Sequence, residues 1–250
     1  MRGPPAGPRS PAMPGYLTKQ ERIAVAGVDD LVIRSLLDRQ QYADPLGEAE
    51  RLGISSAAWP LFGLLWPSGA QLAARLADHP VTAGERILEL GCGLGLASLV
   101  GHRRGADVTA SDCHPLAEAF MLENLRLNDL GPMKYRHGDW NGPETPDALE
   151  AHPVVRGRFD LIVGSDLLYD RGAGIVLAAF IVRHAAAVAQ VWIVDPDRGN
   201  RSAFNRALGE GGFDRREERL DTPATGGAPA YKGRLLIFSR TSVPGTIPVA

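Results

Sequence analysis

The chain has 250 residues, 27 Lys and Arg against 29 Asp and Glu, a net charge of −2 and two cysteines. This balance excludes the basic field of an electrostatic nucleic-acid binder and the charge excess of a disordered acidic chain. Two cysteines make no disulfide framework and suit a reducing, cytoplasmic setting, no apolar run reaches the ~20 residues that span a bilayer, and six scattered histidines lack zinc-ligand spacing, so neither a metal nor a membrane is expected.

The length suits one α/β domain with an extension. Residues 1–19 are rich in proline and glycine, lack the apolar core of a signal peptide and are expected to be a disordered tail. Residues 20–66 form an N-terminal extension. Within it, Arg22–Gly27 and Val28–Arg34 predict a hairpin outside the main sheet. Two Trp-Pro pairs follow, at Trp59 and Trp66. Each proline drives the preceding tryptophan out of the helical region and can itself open a helix. Trp59 reads as core or, with Phe62, as a lid; Trp66 stands at a helix start beside a predicted ligand loop. Leu72, Ala73 and Leu76 share one face of a helix predicted over Pro67–Ala77.

The main domain, residues 67–240, is organised by the run from Ile87 to Ser98. Ile87–Leu90 suit a buried strand; Gly91, Gly93 and Gly95 follow at alternate positions; an apolar small-residue run then starts a helix that stops at Gly105. A strand, a glycine turn and a helix make a nucleotide cradle, because glycines accept positive φ and a helix N-terminus presents N–H groups. The dinucleotide pattern G-x-G-x-x-G is not met, since Leu96 stands where its last glycine belongs. A second strand, Val108–Ser111, ends on Asp112, whose carboxylate can accept from two vicinal ribose hydroxyls, or cap the next helix with Pro115 in its first turn.

A helix over Pro115–Leu127 carries Leu116, Ala119, Phe120, Glu123 and Leu127 on one face, with Asn124 and Asn128 read as structural. Met133–His137 predict a third strand. Asp139 and Trp140 after it suit an adenine, the acid taking the exocyclic amine and the ring covering a face. Residues 141–157 read as loop with a short helix over 146–152. Phe159–Ser165 give a fourth strand, and Asp166-Leu167-Leu168-Tyr169 leave its carboxyl end, where open α/β sheets collect ligands and chemistry. Gly172–Ala187 read as helix and Val191–Val194 as strand. The turn Asp195–Gly199 either lines an acceptor entrance through its two acids and Arg198 or is a capped turn. A helix over Ser202–Glu210, a closing antiparallel pair (Glu217–Leu220, Arg234–Ser239), a mobile loop between them and a disordered tail over 241–250 complete the chain.

The glycine loop resembles the E-x-G-x-G-x-G loop of class I, seven-stranded S-adenosylmethionine (SAM) methyltransferases. Trp66-Pro67-Ser68-Gly69 and Asp166-x-x-Tyr169 are similar to segments of their lysine-methyltransferase-like branch, and the chain also resembles nicotinamide N-methyltransferase-like bacterial proteins. The resemblance covers residues 20–240. It implies a Rossmann-like, doubly wound, seven-stranded sheet, mostly parallel with an antiparallel closing strand, and SAM as cofactor. Trp66, Glu89, Gly91, Gly93, Asp112, Asp139, Trp140 and Ser165 would hold SAM, and Asp166 and Tyr169 would hold the acceptor. Leu167-Leu168 replace the two prolines of (D/N)-P-P-(Y/F), which argues against amide and base methylation. The acceptor implied is a protein lysine. A small amine or nicotinamide-like acceptor is the alternative, and a non-catalytic SAM- or NAD-binding module is another.

Overall fold

The computed structural model describes residues 15–140, 153–169, 172–223 and 230–241. The predicted helix over 146–152 lies outside them, as do residues 1–14 and 242–250 of the expected tails. Two strands, β1 (Thr18–Val25) and β2 (Val28–Leu36), form an antiparallel hairpin that is a sheet of its own. It is longer at both ends than Arg22–Arg34. A short helix α1 (Glu48–Arg51), a 3-10 turn at Trp59–Gly63 and helix α2 (Pro67–Asp78) lead into the main domain.

The main sheet has seven strands: β3 (Arg86–Leu90), β4 (Asp107–Asp112), β5 (Lys134–His137), β6 (Phe159–Ser165), β7 (Ala185–Asp195), β8 (Asp214–Arg219) and β9 (Arg234–Arg240). Their order is β5-β4-β3-β6-β7-β9-β8. Strands β3 to β7 pair in parallel, and β9 runs antiparallel to both its neighbours. The chain goes out from β3 to β5, then returns to the other side of β3. That reversal opens a crevice beyond the carboxyl ends of β3 and β6.

The sheet is buried on both faces, which is why its central strands read as unbroken apolar runs. Successive side chains go to opposite faces. Ile87, Leu161, Val163, Trp192, Val194, Leu235 and Ile237 face one core, with α2, α3 (Leu96–Arg103) and α4 (Ala117–Leu127). Leu88, Leu90, Ile162, Val191, Ile193, Leu236 and Phe238 face the other, with α5 (Ala173–His184) and α6 (Arg201–Glu210).

The hairpin docks on the first face through α4. Asn128 accepts the Val32 N–H at 2.8 Å and donates to the Val32 carbonyl at 2.7 Å. Asn124 accepts the Arg34 N–H at 2.7 Å and also donates to the Leu94 carbonyl at 3.2 Å. Two side-chain amides thus satisfy part of the open edge of β2, which would otherwise bury unpaired backbone groups. This turns α4 relative to the predicted face: Ala117, Phe120, Met121, Asn124 and Leu125 are buried, while Glu123 pairs with Arg126 at the surface.

Predicted boundaries move at β8, which runs over Asp214–Arg219 where Glu217–Leu220 is expected, and at β7. Helix α5 stops at His184, and Ala185–Gln190 belong to β7. Alanine favours helix, but Arg240 donates to the carbonyls of Ala185 and Ala186 at 3.0 and 2.7 Å, and Arg158 to Ala185 at 3.2 Å, which holds them extended. The loop between β8 and β9 is pinned at its described ends. Thr222 and Tyr231 exchange two backbone hydrogen bonds of 2.9 Å, and Leu220 bonds Gly233.

Candidate functional site

A cavity of about 720 Å3 lies in the crevice, inside the 300–1,000 Å3 range of small-molecule sites. Trp66, Glu89, Gly91, Gly93, Asp112, Asp139, Trp140, Ser165, Asp166 and Tyr169 all border it. The topology brings them together from the ends of β3, β4, β5 and β6 and the start of α2.

The glycine loop is shaped first by protein contacts. Gly93 has φ +51°, and a Cβ there would stand 2.7 Å from the Phe62 carbonyl oxygen. Only glycine lets the 3-10 turn approach so closely. Gly91, at φ +58°, leaves room for the Leu167 side chain, which a Cβ would meet at 2.6 Å. The first leucine of Asp166-Leu-Leu-Tyr169 therefore wedges the loop from the opposite strand.

The two loop acids brace backbone. Asp112 accepts the His114 N–H on one oxygen at 2.8 Å and the Gly93 N–H on the other at 2.9 Å. It does not cap α4, which starts at Ala117 behind Leu116. Burial raises its carboxyl pKa, with the N–H groups of His114, Gly93 and Cys113 opposing. Glu89 is 4% exposed. It accepts the Ser98 backbone N–H at 2.8 Å and the Ser98 hydroxyl, tying β3 to the first turn of α3. Burial pushes its carboxyl up to about 7, Ser98 opposes this, and Asp112 adds to it. Both cysteines are free thiols, and burial raises both, so neither is a thiolate nucleophile.

Aromatic residues wall one side. Phe62 stacks on His114, with centroids 3.7 Å apart and planes 13° apart. Burial lowers the His114 pKa to about 3, leaving a neutral ring that accepts the Leu116 N–H at 3.2 Å. Trp59 packs among Tyr16, Tyr42, Phe62 and His114 and is 1% exposed, so it is core and not a lid. The Trp66 indole donates to the Leu61 carbonyl at 2.9 Å, and the Arg39 guanidinium covers its ring at 4.9 Å. The Trp140 indole N–H is buried with no hydrogen-bond partner among the described residues.

Asp166 sits at the carboxyl end of β6 with φ +58°, in the left-handed region with Asp129 and Asp197 among the described non-glycine residues. Such conformations concentrate at functional sites. Its N–H bonds the Val194 carbonyl at 3.0 Å. Arg198 lies 3.0 Å from its Oδ1, while its Oδ2 is buried without a hydrogen-bond partner among the described residues. Burial raises the carboxyl, against the pull of the Ser68 hydroxyl and the Arg198 guanidinium. Tyr169 is largely exposed at the cavity mouth, on a turn that the Asn200 amide holds through the Leu168 and Tyr169 carbonyls.

Of the turn Asp195–Gly199, only Arg198 reaches this site. Asp195 accepts the Asp197 N–H at 2.8 Å, and Asp197 pairs with Arg201 and Arg234, so both acids are turn scaffolding. Sequence reasoning gave no role to Ser68, although it lies in the quoted Trp66–Gly69 stretch; it is buried and bonds the Tyr231 hydroxyl at 2.9 Å. Tyr231 was hidden in a run poor in apolar residues. Its signal was being the lone aromatic there.

The lysine methyltransferase family profile matches residues 62–203, from the 3-10 turn to α6. The chain belongs to this family. It is 34% identical over 148 residues to an electron transfer flavoprotein beta subunit lysine methyltransferase of Xenopus laevis, covering 58% of this chain and 55% of that protein. It is also 32% identical over 111 residues to a histone-arginine methyltransferase of the same organism, covering 42% and 44%. The chain thus spans about half the length of these curated relatives. A magnesium protoporphyrin IX methyltransferase of Synechocystis, solved with bound SAM, shares the fold at TM-score 0.52 and 18% identity, over 70% of this chain and 78% of that one. Among the described residues, no helix is long and apolar enough to cross a membrane.

Proposed function

We propose that this protein transfers a methyl group from SAM to the side-chain nitrogen of a lysine in a protein, in the cytoplasm. Asp166 carries the proposal: a half-buried carboxylate borders a nucleoside-sized cavity, on the strand end where such sheets do chemistry, with one oxygen lacking a hydrogen-bond partner among the described residues.

The residues fit SAM. Gly91 and Gly93 put no side chain of their own into the loop, Asp112 borders the cavity with lone pairs left for ribose hydroxyls, and Asp139 and Trp140 would take the adenine, where the Trp140 N–H, without a hydrogen-bond partner among the described residues, adds a donor. Glu89, Ser165 and Trp66 complete the wall. When bound, SAM supplies a methyl carbon activated by its sulfonium. The chain's part is to orient the acceptor, exclude water and manage one proton. A lysine ammonium has no lone pair and must lose a proton before attack. Asp166 would receive the amine and accept that proton, a task suited to a carboxyl raised by burial. The Tyr169 ring and hydroxyl would cover and orient the same nitrogen. Arg198 stays on the other carboxylate oxygen, so the amine is not held as a strongly paired cation.

The test is transfer of tritiated methyl from SAM to cell-extract protein, followed by acid hydrolysis. Label in methyllysine, lost in Asp166→Asn, supports this function. Label in methylarginine, or only in small metabolites, replaces the acceptor.

A further inference from the structure

A second cavity of about 610 Å3 lies on the hairpin side of Asp166. It runs between the end of β2, the start of α2 and residues 230–232. Leu64, Leu65, Trp66, Asp166 and Arg198 border both cavities, so the two spaces meet at the carboxylate. At the junction Arg198 occupies Oδ1, and Oδ2 is buried and without a partner among the described residues. The carboxylate is common to both spaces, so a donor entering by the second cavity arrives there beside the first.

The approach to it suits an alkyl chain carrying a cation. Leu37, Leu65 and Trp66 supply an apolar wall, and the Trp66 ring is fixed by its bond to Leu61 and by Arg39 above it. The mouth favours acidic company. Lys19 and Glu21 neutralise each other at 2.8 Å, and Asp38, held ionised by the Gln40 N–H and the Gln41 amide, is offset by the Arg39 guanidinium beside it in the wall. Lys232 makes no ion pair among the described residues and is left to meet a negative charge.

We infer that this second cavity is the acceptor channel: a polypeptide lies across the hairpin with an acidic residue at Lys232, and its lysine side chain passes Trp66 to bring its nitrogen to the Asp166 carboxylate. The inference rests on the function proposed above and adds where the acceptor enters and what flanks it.

Leu37→Trp and Lys232→Glu test it, since both residues border only this cavity. The assay uses tritiated SAM with recombinant electron transfer flavoprotein β subunit and, in parallel, total cell-extract protein. Each variant is expected to raise KM for protein acceptor about tenfold, equivalent to about 1.4 kcal/mol of binding, with SAM affinity and melting temperature unchanged. A photo-crosslinking residue at position 37 should capture the acceptor. With an active parent, unchanged KM in both variants and no cross-link overturn the channel and leave the function standing. A parent that labels no protein at all overturns the function, and the channel with it.

Discussion

The Arg198 guanidinium stands 3.0 Å from Asp166 Oδ1, bringing a turn after β7 onto the carboxylate at the end of β6. A cation there lowers the carboxyl that burial raises, and it opposes a second cation on the other oxygen. Removing it in Arg198→Met should therefore raise the Asp166 pKa and strengthen its hold on an acceptor ammonium. The acid limb of the kcat/KM profile should move alkaline by about one pH unit, with Arg198→Lys close to the parent. Carbon-13 NMR of the Asp166 carboxyl reads the first effect without substrate. A loss of rate equal at every pH would make Arg198 purely structural.

Glu89 makes stability depend on pH in an unusual direction. Its carboxyl lies at about 7 in the folded chain against an ordinary 4.5. Below about pH 4.5 both states hold the proton and the ionisation costs no stability. As pH rises toward 7 the unfolded chain releases it first, so stability falls, and above 7 the loss is constant. Glu89→Gln keeps an oxygen for the Ser98 N–H and removes the ionisation. Relative to the parent it should gain stability between pH 5 and pH 8, up to about 3 kcal/mol. Melts showing the same difference at both pH values would contradict this.

Gly93 and Gly105 both have positive φ but differ in surroundings. A Cβ on Gly93 meets the Phe62 carbonyl at 2.7 Å, whereas one on Gly105 meets nothing within 4 Å. Gly105→Ala should cost only the left-handed penalty, about 1 kcal/mol. Gly93→Ala should cost at least twice that and weaken SAM binding by displacing the 3-10 turn. Chemical denaturation of the two variants checks the ranking.

Asn128 serves both backbone groups of Val32 at once. Asn128→Ala should leave them unpaired, cost about 1–3 kcal/mol and raise hydrogen exchange in β2 ahead of the main sheet. Exchange that rises uniformly would mean the hairpin does not open separately.

The sheet was legible because its strands are apolar on both faces and its glycine loop has one strong pattern. The cavity wall was legible for the same reason: Gly91, Gly93, Asp112, Asp139 and Asp166 all lie at or just beyond strand ends, where topology alone gathers them. What escaped depends on contacts between distant segments. No local pattern states that Arg240 holds Ala185 and Ala186 out of a helix. Nor does one state that Asn124 and Asn128 turn α4 toward β2, or that Tyr231 returns to Ser68. Asp112 and Glu89 both border the cavity, and the backbone-bracing bonds they make join segments that no local pattern connects.

The most direct test of the cavity is isothermal calorimetry of the purified protein with SAM, with its demethylated product and with NAD. The account predicts micromolar binding of SAM and its product, no binding of NAD, and loss of SAM binding in Asp112→Ala samples that remain folded. Retained SAM affinity in that variant, or NAD binding in place of SAM, would contradict it.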